Sequence, residues 1–343
     1  MKSEERFMRR ALAEARKSVG QTSPNPAVGA VLVVGDRIVS RGHHRRAGLP
    51  HAEVECLKSF GRKIPKDATL YITLEPCSTA GRTGACTDEI IRAGIKSVVI
   101  GVTDPNPRHR GRGTEILREA GIEVRSGVLA EECAELNAAF NKWIATGIPF
   151  VIAKCGMSLD GRLTRPKKEP RWITSTRARQ HAQELRAQTD AILVGAGTIR
   201  IDNPRLTVRG RRNVRQPMRV VITRSGKIPQ QAHVLTDRFA KKTGVYRNET
   251  LAAILAELGA KEITSVLIEG GGRVLGQALD ERLIDKMQIY IAPIFTGGPI
   301  VAFAGHGALR TNDGARLERV RFEKVGSDIC VTGYPKYALT AGA

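Results

Sequence analysis

An α/β protein built as two domains is what this sequence predicts, and three observations carry that reading. Strand-like apolar runs alternate with helical patterns through both halves. At 343 residues the chain exceeds the usual size of a single core, so two domains of about 150–200 residues each are expected. Near Thr146-Gly147-Ile148-Pro149 a glycine and a proline interrupt the pattern before a new apolar strand, PFVIAK, which sets the domains at residues 1–146 and 147–343.

In chain order, the opening MKSEERFMRRALAEARKSVG puts Phe7, Ala11, Leu12 and Ala15 on one helical face and charges on the others, so 4–18 reads as an amphipathic helix and not as a signal peptide. Strands follow at VGAVLVV (28–34), ATLYITL (68–74) and SVVIGV (97–102), with helices at 52–60, 86–93, 113–120 and 130–144. Beyond the junction, AILVGAG (191–197), MRVVITR (218–224), TSVLIEGGG (264–272) and KMQIYIAPIF (286–295) read as buried strands, separated by helices near 175–187, 250–258 and 272–281. The second half does not repeat the first. No segment approaches the ~18–20 apolar residues needed to span a bilayer. Cysteines at 56, 77, 86, 133, 155 and 330 are too sparse and irregular for a disulfide framework, so a cytoplasmic setting is expected, with the thiols on a metal or buried.

Lys+Arg number 55 against 34 Asp+Glu, a net charge of +21 whose field attracts any polyanion. Aromatics are only 4%, and no stretch interleaves Phe or Tyr with Arg as a base-stacking platform would. The densest basic run, RLTVRGRRNVRQPMR from Arg205 to Arg219, suits a small phosphorylated ligand or a solvated loop.

The chemistry-bearing stretch of the first domain is LEPCSTAGRTGACTDEI, read with PHAEVECLKSF upstream. Zinc takes imidazole nitrogen and thiolate sulfur, and three protein ligands leave a fourth position for water, the arrangement of a catalytic site. His51, Cys77 and Cys86 are the expected ligands. Glu53 follows His51 by two positions, which do not share a side of a straight helix. The metal is therefore expected off the N-terminal end of that helix, where Glu53 reaches the water without ligating the ion and a helix start at Cys86 favours thiolate. Zinc deaminases carry H-x-E with P-C-x-x-C. Here the second cysteine stands nine positions after the first. The longer loop costs about 1 kcal/mol of closure entropy, against about 10–16 kcal/mol for structural zinc binding in peptides. The expected reaction is hydrolytic: the ion acidifies a water, Glu53 takes its proton, an amidine-type ring carbon is attacked, and ammonia leaves protonated through Glu53. Asn25, between two prolines, is a rigid amide for a ring or ribose, or a turn residue.

Several long motifs carry a family resemblance. PNPAVGAVLV, HHRRAGLPHAEVECL, TLEPCSTAGRTGACT and TDPNPRHRGRG resemble the deaminase domain of the bifunctional riboflavin biosynthesis deaminase-reductases, while KCGMSLDGRL, RWITS, LRAQTDAILVGAGTIRIDNPRLTVR and LIEGGGRVLG resemble their reductase domain. The resemblance implies a cytidine-deaminase-like three-layer domain followed by a dihydrofolate-reductase-like domain, with zinc and NADPH as cofactors. It also implies two steps: deamination of 2,5-diamino-6-(ribosylamino)-4(3H)-pyrimidinone 5'-phosphate, then reduction of the ribosyl group to a ribityl chain. Carried over by motif, Asn25, His44, Arg82, Asp104 and Asn106 contact the deaminase substrate. Lys154 and Glu269 assist ring opening and proton transfer in the reductase. Met157, Trp172, Thr198, Asp202, Ser225, Gly271, Gly272 and Gly276 hold NADPH, and Pro170, Arg186, Leu206, Arg209 and Glu269 face the substrate. On residues alone, the glycines of IEGGGRVLGQAL stand between a strand and a helix, where bare N–H groups suit a phosphate.

Two departures from the family pattern stand out. Thr79 replaces a common histidine and Gly84-Ala85 a common Pro-Pro; Pro170 lies where the family often has a serine that touches substrate. The expected partners are a phosphorylated pyrimidine, NADPH and further copies of the chain in a homo-oligomer, with no nucleic acid and no membrane. Two other readings compete: a nucleic-acid base deaminase with a basic C-terminal binding domain, and a reductase whose deaminase domain is a relic. The intact Glu53 speaks against the relic.

Overall fold

Residues 3–79, 84–163, 172–211 and 213–338 are described by the computed structural model, in which the chain divides into two units, Met1–Gly147 and Ile148–Ala343. The first holds a sheet of β1 (Gly29–Val34), β2 (Arg37–His43), β3 (Ala68–Leu74), β4 (Ser97–Val102) and β5 (Glu123–Ser126), in the order β2-β1-β3-β4-β5. β1 runs antiparallel to β2 and β3, and β3, β4 and β5 run parallel. Its helices are α1 (Ser3–Arg16), α2 (Ala52–Phe60), α3 (Cys86–Arg92), α4 (Arg112–Glu119), α5 (Ala130–Leu136) and α6 (Ala138–Thr146).

Because successive strand side chains point to opposite faces, one apolar run feeds two cores. Ala30 and Leu32 pack with Ala52 and Cys56 of α2, Ile90 of α3 and Leu117 of α4. Val31 and Val33 pack instead with Phe7, Met8, Ala11 and Leu12 of α1 and Cys133 of α5. Three layers result. The fit is close enough that a Cβ at Gly42 would stand 2.4 Å from the Ala52 carbonyl, so β2 needs glycine there to lie against α2.

The second unit contains β6 (Phe150–Ser158), β7 (Ala191–Gly195), β8 (Met218–Thr223), β9 (Thr243–Arg247), β10 (Ser265–Ile268), β11 (Lys286–Ala292), β12 (Arg316–Val325) and β13 (Asp328–Lys336). They form one eight-stranded sheet, β12-β13-β11-β6-β10-β7-β8-β9, parallel except where β13 pairs with β11 and β12. Around it lie α7 (Thr176–Ala187), α8 (Ala196–Asp202), α9 (His233–Thr236), α10 (Leu251–Ala260) and α11 (Gly272–Asp280). Leu251, Ile254, Leu255 and Leu258 of α10 and Val274, Leu275 and Ala278 of α11 close one face over Val151, Ala153, Leu193 and Val266. Ser175 and Thr250 accept the Ala178 and Ala253 amides and so start α7 and α10. This is the dihydrofolate-reductase-like architecture. Among the described residues no helix is long and apolar enough to cross a membrane.

Four expectations change. The helix expected over 130–144 is two helices broken at Asn137 (φ −108°, ψ 23°). The strand expected over 191–197 ends at Gly195, and α8 begins at once. The run 264–272 narrows to Ser265–Ile268; just beyond, the Glu269 amide still donates to Leu193 of β7 while its carboxylate turns to Arg186. Finally β2, β5, β9, β12 and β13 were not expected; all but β13 are sheet edges, where charges replace the apolar runs of buried strands.

Candidate active sites

His51 is the extended residue that precedes α2, Cys77 follows the Glu75-Pro76 corner after β3, and Cys86 opens α3. These three meet, with their ligand atoms all within 4.8 Å of one another. The His51 Nδ1 lies 3.2 Å from the Cys86 Sγ and 3.5 Å from the Cys77 Sγ. The Cys86 amide donates to the Cys77 Sγ at 3.4 Å, so the start of α3 already favours a thiolate there. The hydrogen bond from Cys86 draws Cys77 well below the ordinary thiol range, and the same contact pushes Cys86 up. Among the described residues no other group of three His, Cys or carboxylate side chains converges in this way.

Glu53, one residue inside α2, is buried, and burial pushes its carboxyl up to about 7. Its Oε2 has no hydrogen-bond partner. Leaving such an atom unpaired costs about 1–3 kcal/mol, so the oxygen is an acceptor in want of a donor. One imidazole, two thiolates and this spare acceptor fit a catalytic zinc site, with the three donors as ligands and the carboxylate outside the coordination sphere.

Asn25 and His44 flank the cluster. The Asn25 Nδ2 lies 3.2 Å from the His44 Nε2, the His44 Nδ1 lies 3.1 Å from the Pro50 carbonyl, and the His44 ring stands edge-on to His51 at 5.0 Å. Burial holds the His44 imidazole below its ordinary value. Asp104 and Asn106 sit in the loop between β4 and α4, where each accepts the amide two residues on, Asn106 and Arg108. Arg82 lies outside the described residues. Sequence reasoning missed Glu75, whose buried carboxylate accepts the amides of Asp104, Gly111 and Thr114, each at 3.0 Å. It therefore ties the loop bearing Asp104 and Asn106 to the corner bearing Cys77. The available signal was an acid directly before Pro-Cys at the end of a buried strand.

The second unit holds a cavity of about 1540 Å³ at the C-terminal ends of β7, β8 and β10. Lys154, Trp172, Arg186, Thr198, Asp202, Leu206, Arg209, Ser225, Glu269, Gly271 and Gly272 line it. Seven arginines stand on its wall: 179, 186, 200, 205, 209, 224 and 273. Arg186 and Glu269 form a bidentate pair at 2.7 and 2.6 Å, and Arg186 also donates to the Thr207 carbonyl. Burial alone would raise the Glu269 carboxyl, but the Arg186 guanidinium, helped by Lys154 and Arg209, holds it below the usual range. A carboxylate so held accepts hydrogen bonds near neutral pH and does not donate a proton. Leu206 lies buried at φ 51°, a conformation that strains a branched residue. The fully buried Arg219 donates to the Arg205 carbonyl just before it and to the Asp237 carboxylate.

Two further residues expected at the cofactor stand beside this wall, next to the lining residues Gly156 and Leu275. Met157, near the end of β6, is half-buried and packs against the hydrophobic core. Gly276 lies inside α11, where a Cβ would come within 2.2 Å of the Gly305 amide nitrogen; with Gly272, whose Cβ would meet the Val301 carbonyl at 2.0 Å, it clears room for the segment from Val301 to Gly305. Asp280, one turn further, accepts the His306 and Gly307 amides. Pro170 lies outside the described residues.

Known proteins match both halves. Residues 149–331 match the family described as "RibD C-terminal domain", and residues 1–102 match the family described as "Cytidine and deoxycytidylate deaminase zinc-binding region". The chain is 39% identical to the riboflavin biosynthesis protein RibD of Bacillus amyloliquefaciens, over 97% of this chain and 96% of that one. It is 37% identical to RibD of Escherichia coli K12, over 96% and 98%. Among solved structures it is similar to RibD of Acinetobacter baumannii (TM-score 0.89, 34% identity, 98% and 99% covered). It is also similar to a diaminohydroxyphosphoribosylaminopyrimidine deaminase/5-amino-6-(5-phosphoribosylamino)uracil reductase of Thermotoga maritima (TM-score 0.87, 35% identity, 97% and 99% covered).

Proposed function

The chain belongs to the RibD family, and from that premise we propose how its own residues divide the work. It is a bifunctional riboflavin biosynthesis enzyme, a deaminase and a reductase, with zinc and NADPH as cofactors. Deamination of 2,5-diamino-6-(ribosylamino)-4(3H)-pyrimidinone 5'-phosphate comes first, and reduction of the ribosyl group to a ribityl chain follows.

In the first unit His51, Cys77 and Cys86 would hold the zinc, which when bound supplies the Lewis acidity that lets water lose a proton near neutral pH. Glu53 takes that proton and returns it to the departing ammonia; a carboxyl near 7 can do both. Asn25 and His44 orient the ring or ribose, Asp104 and Asn106 close on it from the loop braced by Glu75, and Arg82 completes the substrate contacts. The observation that supports this reading most is the convergence of three donors within 4.8 Å beside an unpartnered carboxylate oxygen.

In the second unit NADPH, when bound, supplies the hydride. Trp172, Thr198, Asp202, Ser225, Gly271 and Gly272 hold it, with the start of α11 offering N–H groups to phosphate. Lys154 moves the proton of ring opening, while Glu269, fixed by Arg186, accepts a hydrogen bond and keeps a negative charge beside Lys154. Arg186, Leu206 and Arg209 face the sugar phosphate. The arginine-lined wall supports this reading over a nucleic-acid base deaminase, because its charge surrounds a concave site roomy enough for a dinucleotide and a sugar phosphate together. Six unpaired cysteines accord with work in the cytoplasm. Exposed Val320 and Phe322 on the edge strand β12 accord with a homo-oligomer, which light scattering tests.

The deciding experiment is zinc analysis of purified protein with turnover of the diaminopyrimidinone phosphate, with and without NADPH. Ammonia should appear without NADPH, and NADPH should be consumed only after deamination. Zinc-loaded protein that releases no ammonia, or metal-free protein that releases it at the same rate, would overturn the assignment.

A further inference from the structure

The break between α5 and α6 falls on a side chain with a task elsewhere. Asn137 is 5% exposed; its Oδ1 accepts the Ala27 amide at 2.8 Å and its Nδ2 donates to the Ala27 carbonyl at 3.0 Å. Ala27 is itself buried. One amide side chain thus serves both backbone groups of a residue 110 positions away, as a neighbouring strand would. The anchor is rigid, because α5 is seated in the core through Cys133 and Leu136, and the Asn137 carbonyl starts α6 by accepting from the Asn141 amide at 2.8 Å.

Ala27 ends the stretch Pro24-Asn25-Pro26-Ala27. Two prolines with fixed φ leave that stretch few ways to absorb a shift, so a displacement of Ala27 is passed to Asn25. Asn25 in turn lies 3.2 Å from His44, whose own amide donates to the Val28 carbonyl at 3.0 Å and whose ring abuts His51. An unbroken line of hydrogen bonds and stiff backbone therefore runs from the end of α5 to the polar groups beside the ligand cluster.

We infer that Asn137 is a positioning residue for deamination, holding Asn25 in its substrate-binding place through the backbone of Ala27. The inference rests on the reading that Asn25 touches the deaminase substrate. A merely structural asparagine would lower stability and leave substrate affinity alone; a positioning one acts on KM through Asn25.

The test uses the full chain with bound zinc and measures ammonia release for Asn137→Ala, Asn25→Ala and the double variant. Zinc content and NADPH-linked reduction of pre-deaminated substrate serve as checks on each unit. Asn137→Ala should keep its zinc and its reductase rate while its deamination KM rises about tenfold, with kcat changed less than about twofold. Asn25→Ala should show a rise of similar size, and the double variant should be no worse than Asn25→Ala, because the two act on one contact. A parental KM in zinc-loaded Asn137→Ala, or additive effects in the double variant, overturns the proposal. A parental KM in Asn25→Ala sinks the reading beneath it, whereas a raised KM there with a parental Asn137→Ala sinks only the coupling. If Asn137→Ala cannot hold zinc, Asn137→Asp decides: it keeps an acceptor for the Ala27 amide and loses the donor to the carbonyl, so an unchanged KM would again overturn the proposal and a raised one supports it.

Discussion

The two units hold small, polar ligands by opposite means. In the first, three ligand atoms lie within 4.8 Å of one another, with one carboxylate beside them. In the second, a cavity of about 1540 Å³ spreads its charge over seven arginines and the ends of several strands. A site made of four side chains has no redundancy, whereas a broad wall shares its binding energy. Single substitutions should therefore act as on-off switches in the first unit and as graded losses in the second, except where one residue moves a proton or fixes the backbone.

The sharpest test of that contrast is Glu53→Gln. General acid–base chemistry contributes about 10²–10⁴ to rate, so ammonia release should fall about a thousandfold while zinc stays bound and pre-deaminated substrate is still reduced. Ammonia release at the parental rate would remove Glu53 from the chemistry and the contrast with it. Next in size is Lys154→Ala, which should slow NADPH-linked reduction about a hundredfold and leave deamination intact; unchanged reduction would make the second site all wall and no proton transfer.

Glu269→Gln probes the buried ion pair. Leaving Arg186 buried without its carboxylate should cost about 3 kcal/mol of the second unit's stability, read from denaturant unfolding. The pH dependence has a definite sign. Arg186 outweighs burial and keeps the folded carboxyl below its unfolded range, so the stabilisation is complete above about pH 4.3 and is lost as pH falls through the lower folded value. Acidification from about pH 6 to about pH 3 should thus destabilise the parent more than the Gln variant; equal losses would show that the pair contributes nothing to the acid sensitivity. The smallest effect is expected for Gly276→Ala. Crowding Gly305 should cost about 1–3 kcal/mol in stability, with NADPH affinity changed less than about threefold. Lost NADPH binding at full stability would return Gly276 to the cofactor.

How much of this was legible in the sequence follows the range of each interaction. The proposed zinc ligands and Glu53 sit in short motifs whose residue types already name the chemistry, and the structure assembles them from two helix starts and one strand end. Buried strands such as β1 and β7 announce themselves as apolar runs. Edge strands do not, since Arg316–Val325 alternates charge with apolar residues and is exposed along nearly its whole length. Asn137 looked like one more polar residue in a helix, because its partner lies 110 positions away. Glu75 was hidden for the same reason, with amides 29, 36 and 39 residues downstream. Gly276 shows a second role that the sequence did not suggest: a glycine near a glycine-rich turn suggests phosphate, and its four-residue spacing from Gly272 along α11 also lets another backbone pass close to the helix.

The brace at Glu75 has a bearing on redesign. One carboxylate anchors the whole stretch from Asp104 to Thr114 to the corner that leads into Cys77, and it does so through main-chain amides alone. The brace itself therefore uses none of the intervening side chains, of which Asp104 and Asn106 hold the turn by accepting the Asn106 and Arg108 amides. A loop transplanted from a deaminase of different specificity should graft onto this scaffold whenever it presents three N–H groups at those places and a glycine where Gly113 passes the Pro76 carbonyl, so that the choice of base could be rewritten while the metal ligands stay untouched.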